Sequence, residues 1–65
     1  MRNIQISLKA ARVNANMTII EASKALGIGK DTLIKWEKTP GVISADKGKV
    51  ISDAYNMPID FIFFG

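Results

Sequence analysis

The chain has neither cysteine nor histidine among its 65 residues. Disulfides and thiolate or imidazole metal sites are therefore excluded, along with the side chain that most often serves as general base. With no convergent carboxylates to take over that work, an enzyme is the least expected reading, and no cofactor or metal is expected. No apolar run approaches the ~20 residues of a membrane span, and no signal peptide leads into a cleavage site. The expected compartment is the cytoplasm. Strict alternation of apolar and polar residues is also missing, so no strand is expected.

What remains is small, apolar and mildly basic. A domain of this size buries only about 60% of its unfolded surface, yet 48% of the residues are hydrophobic, enough for one core over residues 1–65. A net charge of +3 is compatible with a nucleic-acid partner without requiring one. There is no internal repeat and no low-complexity segment.

Helical spacing accounts for most of the chain. Leu8, Ala11 and Arg12 share one side of a first helix over Ser7–Ala15, and the residues from Asn14 to Met17 break it. Thr18 followed by Glu21 has the form of a capping box. Ala22, Ser23 and Leu26 then give a second helix a narrow, small-residue face, which Gly27 ends. Ile28 turns inward, and a third helix runs from about Lys30 to Glu37. Thr39-Pro40-Gly41 is the strongest breaker and opens a loop lasting to about Ile43. Ser44 caps a fourth helix, with Asp46 in its first turn and Ile51, Ala54 and Tyr55 on its apolar side. Asn56 suits the end of that helix, and Pro58 begins a final short helix carrying Ile59, Phe61, Ile62, Phe63 and Phe64. The expected fold is all-α, a compact bundle of five short helices.

Within Thr18–Glu37 the order is helix, glycine turn, apolar anchor, helix. That is the sequence form of a helix-turn-helix, which presents its second helix to the DNA major groove. A rotation of about 100° per residue puts Leu33, Trp36 and Glu37 on one side of the third helix. Asp31, Lys35 and Lys38 lie opposite, with Lys30, Thr32 and Ile34 on the flanks. Core packing explains Leu33 and Trp36. Lys30 and Lys35 are long enough to reach guanine O6 and N7, Asp31 can accept from a cytosine amino group, and Thr32 offers its hydroxyl to phosphate. Ile34, if it faces the groove edge, can touch a thymine methyl. The plainer alternative is a solvated face in which Asp31 and Lys35 pair at i, i+4. A cation at Lys30 opposes the helix dipole by ~0.3–1 kcal/mol unless an anion lies nearby, and either Asp31 or DNA phosphate can supply one.

These elements resemble the Cro/repressor type of helix-turn-helix domain, the XRE family of phage repressors and small bacterial regulators. The resemblance rests on LKAAR at Leu8–Arg12, on T-x-x-E-A-S-K-A-L-G-I-G-K-D-T-L-I-K-W-E from Thr18 to Glu37, and on Y-N-M-P-I-D-F-I-F-F-G from Tyr55 to Gly65. It implies a lambda-repressor-like five-helix bundle that binds operator DNA, commonly as a dimer on inverted half-sites. By position it assigns Lys30, Asp31 and Lys35 to base reading, and Thr18, Thr32 and Lys38 to the phosphate backbone. It also implies a salt bridge between Arg12 and Glu37, which would orient the third helix; the alternative is two unrelated surface charges. Phe61 and Phe64 are candidates for the dimer contact, beside a core role for Ile59 and Ile62.

Three residues or stretches depart from the family pattern. Ile19 stands where a phosphate-contacting glutamine is usual and is followed by Ile20. Either Ile19 packs inward to compensate for Ala22, where the family usually has leucine, or the two isoleucines form an apolar surface for a protein partner. Gly48 replaces a core leucine at a cost of about 1 kcal/mol inside a helix, which predicts a frayed or late-starting fourth helix. The loop after Lys38 is poorer in cations than usual.

The leading expectation is a sequence-specific transcriptional regulator, a phage or prophage Cro-like repressor acting in the bacterial or host cytoplasm. The alternative is a protein-binding anti-repressor or modulator. An excisionase-like architectural protein is a further reading, but it would place strands after the motif.

Overall fold

The computed structural model describes residues 4–65. Helix α1 (Leu8–Asn14) starts where the Ser7 hydroxyl accepts the Ala10 amide at 3.0 Å, and Asn16, at φ 59°, turns the chain away after it. Helix α2 (Ile19–Leu26) opens on a reciprocal capping box. Thr18 Oγ1 accepts the Glu21 amide at 3.1 Å, while Glu21 Oε1 accepts the Thr18 amide at 2.9 Å. Gly27 closes α2 at φ 69°, a left-handed conformation that a side chain would strain. Helix α3 (Lys30–Lys38) follows, then a 3₁₀ turn at Pro40–Val42. Helix α4 (Ala45–Ala54) is capped by Ser44 Oγ, 3.3 Å from the Lys47 amide, and ends ahead of Asn56 at φ 52°.

Leu8, Ala11, Ala22, Leu26, Leu33, Ile51, Tyr55 and Ile62 form the core. Helix α2 packs on both α3 and α4, and α1 packs on α3. Fully buried alanines at 11 and 22 leave the centre to Leu33 and Ile51, which have no exposed surface. Burying each of these two larger side chains stabilises the fold by about 1.5–3 kcal/mol. Ile19 is half-buried against the core, whereas Ile20 is half-exposed. Among the described residues no helix is long and apolar enough to cross a membrane.

Among the described residues there are four α-helices rather than five, and the final expected helix is replaced by a 3₁₀ turn, Ile59–Phe61. Pro58 has no amide to donate, and beyond the turn the backbone is claimed by the other end of the chain. Ile62 and Ile6 form a parallel bridge, with the Ile6 amide donating to Phe61 O at 2.8 Å and the Phe63 amide to Ile6 O at 2.9 Å. An amide directed across to Ile6 cannot also continue a helix. This bridge is β geometry at a place where sequence periodicity shows none.

Helix α4 also differs from expectation, being continuous through Gly48. Gly48 is buried, and a Cβ there would lie 3.5 Å from Ile59 Cδ1 and 3.7 Å from Phe64 Cζ. The Phe64 ring thus fills volume beside the missing side chain, and packing from outside the helix offsets the propensity cost within it. Two substitutions separate these effects. Gly48→Ala meets its neighbours at ordinary contact distance and should stabilise by up to about 1 kcal/mol in urea unfolding. Gly48→Leu, although it restores the family's usual residue, should destabilise by about 1–3 kcal/mol by displacing the ring.

Candidate nucleic-acid interface

The turn between α2 and α3 leaves open space in front of α3. A Cβ on Gly27 or Gly29 would meet nothing within 4 Å. Gly29 is the N-cap of α3 and makes no side-chain cap, so the first-turn amides have no side-chain acceptor. Ile28 packs against the core and ties the turn down from beneath.

From that base α3 presents Lys30, Asp31, Thr32, Ile34, Lys35 and Lys38 to the exterior, all exposed, while Leu33 is buried, Trp36 is partly buried and the Glu37 side chain is mostly buried. Lys30, Asp31 and Lys35 therefore share one helix surface with Thr32 and Lys38. Thr18 is exposed at the start of α2, where its oxygen is occupied by the Glu21 amide but its hydroxyl proton stays free to donate. Of the two phenylalanines considered for a dimer contact, Phe61 is half-exposed, whereas the Phe64 ring packs on Gly48. Phe63, not singled out from the sequence, is also half-exposed. Among the described residues there is no cluster of acidic side chains able to hold a metal ion.

The angle of α3 is set from inside. Arg12 Nε donates to Glu37 Oε2 at 2.7 Å, and Arg12 Nη1 donates to Met17 O at 2.8 Å. Both side chains of the ion pair are about nine-tenths buried, at 9% and 11% exposure. One guanidinium thereby joins α1, the turn after it and the last part of α3. Neutralising Glu37 also removes a negative charge from α3, leaving three lysines against one aspartate on its exterior. Tyr55 lies close enough to feel both charges. Among the described residues its Oη is the one buried side-chain polar atom with no hydrogen-bond partner. Burial first, and Glu37 second, push its phenol from 10.0 up to about 12, with Arg12 acting in the opposite direction. Sequence reading places Tyr55 only on the apolar side of α4, and nothing in local spacing marks its hydroxyl.

Arg12→Met should leave Glu37 buried without a partner and cost about 3–5 kcal/mol in unfolding measurements, while the double variant R12M/E37M should recover most of that loss. Unchanged stability in the single variant would contradict the bracing role. For Tyr55 the neutral form is the one the fold favours. Its contribution is intact below pH 10 and is lost as pH rises through about 12. Alkaline unfolding of the native chain should therefore be steeper than that of Tyr55→Phe. The tyrosinate absorbance of this single tyrosine provides a direct readout.

A family model described as helix-turn-helix matches residues 8–62, from the first residue of α1 to the bridge residue Ile62. No curated protein and no solved structure matches the chain significantly. The match takes in the capping box, the glycine turn, all of α3 and both members of the buried ion pair. Covering most of the chain, it establishes that the protein belongs to the XRE-type helix-turn-helix family.

Proposed function

We propose that residues 1–65 act as one sequence-specific DNA-binding domain, a Cro/repressor-like transcriptional regulator encoded by a phage or prophage and working in the bacterial cytoplasm. The family is one of DNA-binding regulatory domains rather than enzymes. The observation that carries the finer reading is the exposed face of α3, with three lysines and one aspartate held away from the bundle by the buried Arg12–Glu37 pair. In this reading α3 enters the major groove. Lys30, Asp31 and Lys35 contact base edges, and Thr18, Thr32 and Lys38 hold the backbone. Occupancy of the operator then excludes polymerase.

Two copies on an inverted repeat would set their α3 helices roughly 34–36 Å apart, one turn of DNA. Phe61, with Phe63 beside it, is the apolar surface on which such a dimer would close. Phe64 has less to offer there because its ring is engaged with Gly48. A second reading, a modulator that binds another regulator, draws on Ile20, which is 50% exposed at the start of α2. Ile19 contributes less to it, being half-buried against the core.

Mobility-shift titrations on a consensus selected from random duplexes test the proposal. Affinity should fall steeply with salt as phosphates are neutralised. Lys35→Ala should cost about 1–3 kcal/mol and relax specificity at one position, whereas Lys38→Ala should weaken all sequences alike and reduce the salt slope by about one. The selected consensus should be palindromic. No shift at low salt would overturn this reading and leave the protein-binding one.

A further inference from the structure

The exterior of α3 carries one apolar side chain, Ile34, which is 40% exposed. It lies in a row with Lys30 and Lys38, four residues to either side. Side chains at that spacing stand one helical turn apart, about 5–6 Å between Cβ atoms, so Ile34 sits between two lysine stems. Asp31, three residues earlier, and Lys35, one residue later, border the same row and give it a polar margin. An isolated exposed isoleucine is unremarkable on most surfaces. Here it occupies the midpoint of the most cationic face that α3 offers.

Charge determines what can cover this face. A polyanion drawn to Lys30 and Lys38 is brought over the residue between them, and a duplex seated that way lays its major groove across Ile34. Isoleucine has no donor or acceptor for a base edge. The apolar group that base pairs display in the major groove is the C5-methyl of thymine. We propose that Ile34 reads a thymine methyl and is a specificity-determining residue for the DNA binding proposed above, on which this inference rests. The contact discriminates through that methyl alone. It gains from burying the methyl, and a cytosine in the same place, with only a hydrogen at C5, offers nothing to bury.

Deoxyuridine tests this directly, because it keeps every hydrogen-bonding group of thymine and lacks only the methyl. Each thymine of the selected consensus duplex is replaced in turn, and binding by the native chain is measured. At one thymine per half-site the affinity should fall about threefold to fivefold, the size expected for burying one methyl. I34A, with its helix content checked by circular dichroism, should bind the thymine and deoxyuridine duplexes equally. The inference is overturned if the native chain binds the consensus but ignores every thymine methyl, or if I34A shows the same loss as the native chain. In those cases the DNA-binding reading stands. If the native chain retards no duplex at low salt, both fail together.

Discussion

The guanidinium of Arg12 is the group on which the geometry of this small protein turns. It draws together α1, the carbonyl of Met17 and the end of α3 through two hydrogen bonds below 3 Å. The value of such a pair lies in direction more than in stability, since desolvating two charges offsets most of their attraction. Four short helices around a handful of large core side chains leave α3 few other constraints on its angle. The pair also determines the sign of the exterior, because Glu37 would otherwise set its charge against the lysines of the same helix.

Around that brace the core is filled by exchange of volume between elements. Gly48 removes a side chain from α4, and Phe64 and Ile59 arrive from beyond the helix to occupy the gap. Small residues at Ala11 and Ala22 allow close approach where α1 and α2 meet the centre, and Leu33 and Ile51 fill it. Tyr55 fits this core less completely. Its ring belongs to the core, but its hydroxyl is held among charges without a hydrogen bond.

What could be read from the sequence follows the range over which each feature is decided. The capping box, the glycine exit from α2, the serine cap of α4 and the left-handed Asn56 after it are each settled within a few residues, and each lies where spacing places it. The exposed and buried sides of α3 follow from its periodicity in the same way. The last segment does not. Its apolar residues read as helix, but a backbone partner at Ile6 decides the conformation, and no local window contains that information. Gly48 is misleading for a related reason, because propensity records the missing side chain while the compensating ring lies elsewhere in the chain.

The pairing of Ile6 with Ile62 has a kinetic corollary. Contacts among α2, the glycine turn and α3 close short loops, whereas this bridge joins the two extremes of the described chain and carries the largest closure entropy. The order of assembly that follows has the helix pair and its turn condensing early, with the bridge clasped last. In reverse, the clasp is where the native state would first open, and the helix that meets solvent with its lysines would be among the last parts to let go.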